Sequence, residues 1–426
     1  MRPLRLAVVA VVVLGIALPA RGMAGPVRTA KYIVVLKQGA GSPAVVAADQ
    51  ARRYGLSVGY VYRAALRGYS ASIPTDRVAQ LRADPRVAFL SGDGAVRAVD
   101  QTLPTGIDRI EGDLSSTRSG DGSGSVGTPV AVIDTGSGPH PDLNVAGGVN
   151  CSTGNSFNDG NGHGTHVAGT IGAKDDSNGV VGVAPGAPIY SVRVLNNAGS
   201  GSFASVICGI DWVTANRVAT GIKVANMSLG GSGSDDGNCG QSNDDAMHMA
   251  ICNSAASGIT YVVAAGNSNT DFSGQVPAAY NEVLTVTAVA DFNGAPGGGA
   301  APTCRTDVDD TAADFSNFTI AGSSDEGHTI AGPGVCILST WKRNGYNTIS
   351  GTSMATPHVT GTVALCIASG GCAALSPSQI MAKLRSDAAS RPASYGFVGD
   401  PNHPIQSGGP PGKTLYYGYL VYVGGY

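Results

Sequence analysis

The chain has 426 residues, which is enough for one large domain and a second, smaller one. Charged residues make up only 13% of it, and 62 residues are glycines. This composition is typical of a compact protein with tight turns and argues against an intrinsically disordered chain. No basic strip with interleaved aromatic residues is present in the sequence, so nucleic-acid binding is not indicated.

The N-terminus has the pattern of an export signal. Arg2 and Arg5 precede an apolar run over residues 6–18, and the small residues Ala20 and Ala24 follow it. The run is shorter than a transmembrane helix requires, so we predict a cleaved signal peptide over residues 1–24 rather than a membrane anchor. The predicted location is extracellular, with no membrane attachment after the signal is removed.

The cysteines are consistent with export. All eight lie between Cys151 and Cys372, and an even number in an exported chain predicts disulfides. The short-range candidates are Cys239 with Cys252 and Cys366 with Cys372, while the full pairing stays open. A zinc cluster is the alternative, but it is disfavoured because the sequence has no Cys-x-x-Cys pair.

Residues 25–99 read as a small α/β unit, with predicted strands at 32–36, 58–62, 68–73 and 87–90 and helices at 43–54 and 75–82. This segment carries eleven Lys or Arg against four Asp, whereas residues 100–426 carry thirteen against twenty-six Asp or Glu. Opposite charge suggests that the two segments dock. The alternative is incidental variation in surface charge.

Residues 100–426 alternate between short apolar strands and helices. Predicted strands lie at 129–133, 189–195, 224–229, 261–264, 283–288 and 335–338, and predicted helices at 163–172, 203–218, 244–257, 352–367 and 377–388. The pattern predicts an α/β fold with a parallel sheet covered by helices on both faces. The glycine-rich stretch 120–127 precedes a strand instead of following one, so it is interpreted as a surface connection and not a phosphate loop. Residues 415–422 are predicted to form one or two strands that close the fold at its C-terminal end.

Three motifs suggest nucleophilic catalysis. Ser353 lies among small residues where a helix is predicted to begin, and a serine needs a base and a group that orients the base. Asp134 follows a strand, and His163 begins a predicted helix. Pro357 has no N–H, so the Ser353 carbonyl lacks its usual helical partner. His166, one turn after His163, is interpreted as a packed histidine.

These motifs, together with residues 226–231 and 262–267, resemble those of subtilisin-type serine endopeptidases over about residues 100–390. The order Asp, His, Ser is that of subtilisin. An esterase of the α/β-hydrolase type would need its acid and its histidine after Ser353. The histidines found there are His358, which is too close in sequence, and His403. That alternative is therefore disfavoured.

The resemblance implies a subtilisin-like catalytic domain over residues 100–426, preceded by an inhibitory propeptide over residues 25–99 that is removed by cleavage near residues 98–101. It implies catalytic roles for Ser353, His163 and Asp134, with Asn267 as oxyanion donor. It also implies substrate binding by two segments, which comprise Ser228, Leu229 and Gly230 and then Ala264, Ala265 and Gly266.

The resemblance further implies a structural Ca²⁺ site but no catalytic cofactor. Its ligands would be the side chains of Gln101, Asp142 and Asp176 and the carbonyls of Lys174, Asn178 and Val180. Oxygen ligands of this kind suit Ca²⁺. Position 176 is usually Asn in the family, and the alternative is a solvated acidic turn.

The sequence therefore predicts a secreted, self-processed and monomeric serine endopeptidase that acts on polypeptides and is inhibited by its own propeptide. The alternative from another class is a catalytically inactive homologue that binds peptides. Sequons at Asn150 and Asn317 leave glycosylation open.

Overall fold

A computed structural model describes residues 28–94, 101–408 and 412–426. The chain divides into two compact units at Ala98 and Val99. The predicted signal peptide lies outside the described residues, and so does the predicted propeptide cleavage region apart from Gln101. Among the described residues, no helix has both the length and the apolar character needed to cross a membrane.

The first unit is an antiparallel sheet with two helices. Its elements are β1 (Thr29–Leu36), α1 (Pro43–Tyr54), β2 (Ser57–Tyr62), β3 (Gly68–Pro74), α2 (Val78–Arg82) and β4 (Val87–Gly92), with strand order β2-β3-β1-β4. Its core includes Val34, Tyr69 and Leu81, which are fully buried. Helix α2 begins three residues later than predicted because the Thr75 N–H donates to the Arg28 carbonyl, so the chain turns before the helix begins.

The second unit contains the remaining elements. Its helices are α3 (Thr105–Arg109), α4 (His163–Gly172), α5 (Phe203–Thr220), α6 (Ala246–Ala256), α7 (Thr352–Ala368) and α8 (Pro377–Ala389). Its strands are β5 (Gln101–Thr102), β6 (Val130–Asp134), β7 (Val145–Asn150), β8 (Gly179–Val180), β9 (Ile189–Arg193), β10 (Val224–Met227), β11 (Gly231–Ser232), β12 (Thr260–Ala264), β13 (Gln275–Val276), β14 (Val283–Ala290), β15 (Thr311–Ala312), β16 (Thr319–Ile320), β17 (Thr329–Pro333), β18 (Ile337–Trp341), β19 (Gly345–Ile349), β20 (Ile405–Gln406) and β21 (Thr414–Tyr416).

The central sheet has the order β7-β9-β6-β10-β12-β14-β17, and every pair along this path is parallel. In the part of the chain that the structure describes, only β15 joins it antiparallel, against β14. Side chains of β6 alternate between two hydrophobic clusters: Val130 and Val132 pack with α4, α7 and α8, whereas Ala131 and Ile133 pack with α5 and α6. A parallel sheet buried on both faces is therefore confirmed.

Two strand predictions were incomplete. Strand β7 at the sheet edge was not predicted, because its Gly147 and Gly148 have low strand propensity. A Cβ on Gly148 would lie only 2.0 Å from the Ser191 carbonyl oxygen, so the close approach to β9 requires glycine. Of the predicted strand 335–338 only the last two residues lie in a strand, β18, which forms a hairpin with β19, while the sheet strand β17 ends earlier, at Pro333.

Four disulfides link the second unit. Cys239–Cys252 and Cys366–Cys372 confirm the two short-range predictions, and Cys151–Cys208 and Cys304–Cys336 complete the set. We call Cys366–Cys372, which closes the end of α7, the short bridge.

In the tail only β21 overlaps the predicted strands at 415–422.

Candidate active site

Asp134 and His163 form a direct contact at the carboxyl edge of the sheet. Asp134 ends β6 and is fully buried, and His163 begins α4. The His163 Nδ1 atom lies 2.8 Å from Asp134 Oδ1 and 3.0 Å from Oδ2. A carboxylate on Nδ1 fixes the tautomer that leaves Nε2 as the basic nitrogen of the neutral ring.

Asp159 organises the start of the histidine helix. Its Oδ1 accepts the backbone N–H groups of Asn161 and Gly162 at 2.8 and 2.9 Å, and its Oδ2 accepts the Thr165 N–H at 2.9 Å. Burial lowers the pKa of His163, but Asp134 and then Asp159 raise it, and the net pKa lies above the ordinary value. Sequence reasoning missed Asp159, although the turn-forming run 158–162 around it was a visible signal.

Ser353 lies in the first turn of α7. Its carbonyl, which Pro357 leaves without a helical donor, accepts the Ser228 hydroxyl at 2.8 Å. The Ser353 hydroxyl itself donates to the Ser228 carbonyl at 3.4 Å. Among the described residues it forms no hydrogen bond with His163, and such contacts are often long in enzymes without a bound substrate.

Asn267 is fixed from one side only. Its Oδ1 accepts the backbone N–H of Thr352 at 2.8 Å and the Thr352 hydroxyl at 2.9 Å, and the Thr352 hydroxyl accepts the Gly266 N–H at 3.1 Å. Because the amide oxygen is held, the Nδ2 group is directed away from Thr352 as a donor. Thr352 was not predicted to have a role, and only the fold reveals its contact with Asn267.

Two adjoining cavities bring the predicted residues together. The primary cleft, of about 810 Å³, includes Thr135, Asn161, His163, Phe203, Ser228, Leu229, Gly230, Met247 and Val276 in its lining. The side pocket, of about 290 Å³, is lined by Leu229, Gly230, Ala264, Ala265, Gly266, Asn267, Gln275, Val276, Ala278, Thr352 and Ser353. Leu229, Gly230 and Val276 border both cavities. His163 therefore lines one cavity and Ser353 the other, and the two cavities adjoin along these shared residues.

The wall of the side pocket is supported by Asn317. This residue is 1% exposed, and its amide accepts the Ser268 and Thr270 N–H groups and donates to the Ala265 carbonyl. A Cβ on Gly266, where φ is +105°, would lie 2.4 Å from Asn317 Nδ2. The sequon at Asn317 is thus buried in the folded unit, whereas Asn150 remains partly exposed.

Most of the predicted calcium ligands converge near Gln101. Its Nε2 atom lies 2.5 Å from the Lys174 carbonyl oxygen, 3.1 Å from that of Asn178 and 3.0 Å from that of Val180. Gln101 Oε1 and Asp142 Oδ1 are buried without hydrogen-bond partners among the described residues. Three carbonyl oxygens and two orphaned side-chain oxygens are ligands that suit a hard cation, provided that the Gln101 amide turns so that Oε1 instead of Nε2 faces the carbonyls.

Asp142 and Asp176 differ in their surroundings. Burial raises the pKa of Asp142 to about 6, and Asp176 contributes to the rise. Asp176 is exposed, and its Oδ1 accepts the Asn178 N–H at 3.2 Å. Its side chain is therefore engaged in a local turn.

Two further histidines lie in the interior. His166 faces the Ile337 carbonyl at 2.9 Å, and His358 faces the Met354 carbonyl at 2.9 Å. Burial lowers their pKa values to about 3 and about 4, respectively. Both are neutral packed residues at pH 7, in keeping with the interpretation of His166 as a packed histidine.

Comparison with known proteins identifies the family. The profile of the Subtilase family matches residues 125–419. Subtilisin DY from Bacillus licheniformis is 38% identical, covering 68% of this chain and 92% of the relative. The alkaline protease of Alkalihalobacillus alcalophilus is 37% identical, covering 70% and 68%. The extracellular serine proteinase of Thermus sp. (strain Rt41A) is 39% identical, covering 78% and 74%.

A solved structure agrees with these sequences. The crystal structure of a cold adapted subtilisin-like serine proteinase is similar to this chain with a TM-score of 0.51 and 33% identity, covering 70% of this chain and 89% of the other. The family profile alone spans more than half of the chain. The protein therefore belongs to the subtilase family and is a subtilisin-type serine endopeptidase.

Proposed function

We propose that Ser353, His163 and Asp134 hydrolyse peptide bonds through an acyl-enzyme. Ser353 Oγ bonds to the scissile carbonyl carbon while His163 Nε2 takes the hydroxyl proton. The C–N bond then breaks as the imidazolium returns that proton to the leaving amine. Water attacks the acyl-enzyme by the reverse route and restores Ser353. The observation that carries this proposal is the contact of His163 with buried Asp134 at the wall of the primary cleft.

The developing oxyanion would be held by Asn267 Nδ2 and by the backbone N–H of Ser353. Asn267 supports this role because Thr352 holds its amide oxygen, which leaves the donor end for the substrate. The N-terminus of α7 adds partial positive charge at the same place.

The substrate would bind as an extended strand along Ser228, Leu229 and Gly230, with main-chain hydrogen bonds as in β-augmentation. The side pocket would accept the residue before the scissile bond. Its walls of Ala264, Ala265 and Gly266 carry no charge, which supports a broad preference with an apolar bias.

Labelling by a fluorophosphonate tests the nucleophile. The unmodified enzyme should react with one probe per chain, and Ser353→Ala should not react. Ser369→Ala, at the exposed far end of the same helix, is the matched control and should label normally. If the unmodified, correctly folded protein does not label, the alternative of an inactive peptide-binding homologue is favoured instead.

We propose in addition that the chain is exported and that the 25–99 segment inhibits the catalytic unit until it is removed by cleavage. The support is the N-terminal signal pattern, the opposite charge of the two segments and the division of the chain at Ala98 and Val99. Secreted Ser353→Ala should accumulate as the longer precursor, whereas Ser369→Ala should mature. Processing of Ser353→Ala in the absence of other proteases would contradict self-cleavage.

We propose that Gln101, Asp142 and the carbonyls of Lys174, Asn178 and Val180 hold a structural Ca²⁺, with Asp176 near its rim. The ion would tie β5 to the loop after α4. Chelation should lower the melting temperature of the native enzyme and should have no effect on Asp142→Asn. Asp211→Asn, on the exposed surface of α5, should respond as the unmodified enzyme does. An unchanged melting temperature on chelation would exclude the site.

A further inference from the structure

A second cluster of potential metal ligands lies away from the catalytic residues, between β11 and α6. We call it the His248 cluster, and it consists of Asp235, Asp236, His248 and Glu282. His248 is fully buried in the first turn of α6. Its Nδ1 lies 3.2 Å from Asp236 Oδ1 and 3.5 Å from Asp235 Oδ1, and its Nε2 lies 2.9 Å from Glu282 Oε2. Carboxylates thus face both ring nitrogens.

The contact with Glu282 sets the tautomer of His248. The Nε2–H donates to the carboxylate, so in the neutral ring Nδ1 carries the lone pair. The Tyr280 ring stacks on the imidazole, with 4.0 Å between centroids and an interplanar angle of 1°. A histidine whose outer N–H is held by a carboxylate has the arrangement of a metal ligand with its supporting shell.

The other ring nitrogen lacks a hydrogen-bond partner. Nδ1 is buried, and no described group meets it with hydrogen-bond geometry, although two carboxylate oxygens lie within 3.5 Å. At these distances a ring N–H pointed at either oxygen would form a hydrogen bond, so the oxygens lie off its axis. A proton on Nδ1 would therefore form no hydrogen bond with either carboxylate in this arrangement.

The distances instead match the edges of a coordination tetrahedron. With metal–ligand bonds of about 2.1 Å, two ligands of tetrahedral zinc are about 3.4 Å apart. The Nδ1–oxygen separations of 3.2 and 3.5 Å bracket that value. One potential ligand atom from each of Asp235, Asp236 and His248 lies within 4.8 Å of the other two.

The two aspartates are held in place by backbone N–H groups. Asp236 Oδ1 accepts the backbone N–H groups of Asn238 and Gly240 at 2.9 and 2.8 Å, and its Oδ2 accepts that of Ser242 at 2.7 Å. Asp235 Oδ1 accepts the Gly237 N–H at 2.9 Å. Both side chains are thus fixed before any ion binds.

We propose that Asp235, Asp236 and Nδ1 of His248 bind a divalent ion of the zinc type, with water as the fourth ligand. An imidazole ligand favours zinc-like ions over calcium, which takes oxygen ligands. The neighbouring sulfurs of Cys239 and Cys252 take no part because they form a disulfide. The ion would join the segment after β11 to α6, and Gly231 of β11 and Met247 of α6 line the primary cleft.

The test uses the full chain with Ser353→Ala, which cannot digest itself, and Ca²⁺ is kept in excess throughout. Zinc is removed with a zinc-selective chelator and then restored, and bound zinc is counted by mass spectrometry. One zinc per chain should bind and raise the melting temperature by about 5 °C at a free concentration near 100 times Kd. Cobalt in place of zinc should give the visible absorption of a tetrahedral site.

Two variants locate the ion. Asp235→Asn, whose side chain is 15% exposed and can be changed with less risk to folding than His248, should weaken zinc binding at least about tenfold. Asp244→Asn, on the exposed part of the same loop, is the matched control and should bind zinc normally. Zinc bound equally by both variants would overturn the proposal. So would a melting temperature that responds to pH but not to zinc, because a protonated His248 would then account for the cluster.

Discussion

The hydrogen bond from Ser228 Oγ to the Ser353 carbonyl offers a direct test of how the nucleophile is held. Pro357 deprives this carbonyl of its helical N–H, and Ser228, 3% exposed, supplies the replacement at 2.8 Å. Ser228→Ala leaves a partly buried carbonyl without a donor. Such a loss costs about 1–3 kcal/mol of unfolding free energy, and at about 2 °C per kcal/mol it lowers the melting temperature by about 2–6 °C.

Pro357→Ala provides the second arm of a double-mutant cycle. Alanine restores a backbone N–H four residues after Ser353, so the carbonyl no longer depends on Ser228. Pro357→Ala alone should change stability little, because the gained donor is offset by a more flexible unfolded chain, an effect of about 0.4–1 kcal/mol. In the Pro357→Ala background, Ser228→Ala should cost clearly less than in the parent, with a coupling energy of about 0.5–3 kcal/mol.

The four chains are compared in the Ser353→Ala background, which retains the backbone carbonyl and prevents self-digestion. Scanning calorimetry at several heating rates is appropriate because a disulfide-bonded protease can unfold irreversibly. A cost of Ser228→Ala that is identical with proline and with alanine at position 357 would refute the reasoning. The hydroxyl would then stabilise the protein through packing or through its contact with the Asn226 amide at 2.9 Å rather than through the Ser353 carbonyl.

Asn267→Ala should lower kcat by about 10²–10³ with little change in KM; this magnitude is that of the corresponding amide in subtilisin itself and is carried over. Asp159→Asn should lower the pKa of His163, because one of the carboxylates that raise it is lost. Since the base must be neutral, the acidic limb of kcat/KM should move to lower pH, and an unmoved limb would contradict the assignment. Replacing both cysteines of Cys151–Cys208, 57 residues apart, should cost about 2 kcal/mol more than replacing those of the short bridge, 6 residues apart, as measured by denaturant unfolding; equal costs would contradict the loop-entropy argument.

The sequence predicted best those features that depend on nearby residues. Helix α4 spans His163–Gly172 as predicted, because glycine at position 162 and the small residues that follow define its start and packing face. The two short-range disulfides follow from proximity along the chain. By contrast, β7 pairs with β9 through glycines, which have a low propensity for strands. The two strands are about forty residues apart in the sequence.

The supporting residues of the site were harder to predict for the same physical reason. Thr352 orients Asn267 across 85 residues of chain. Asp159 does lie close to His163, but an aspartate in a turn has many local uses, and only the fold shows its carboxylate gathering the N–H groups of the helix start. Asp134, which contacts His163, was predicted from the sequence, whereas Thr352 and Asp159 were not.

The Ser353 carbonyl depends both on a local feature and on a residue distant in sequence. The sequence alone showed that Pro357 would leave it without a helical donor, because that consequence is local. The sequence could not show that the donor would be Ser228, 125 residues earlier and next to the wall shared by the two cavities. The same residue therefore fixes the start of the nucleophile's helix and lies in the segment proposed to bind substrate. If substrate binds along that segment as proposed, we expect a shift of Ser228 to move the Ser353 carbonyl through this hydrogen bond.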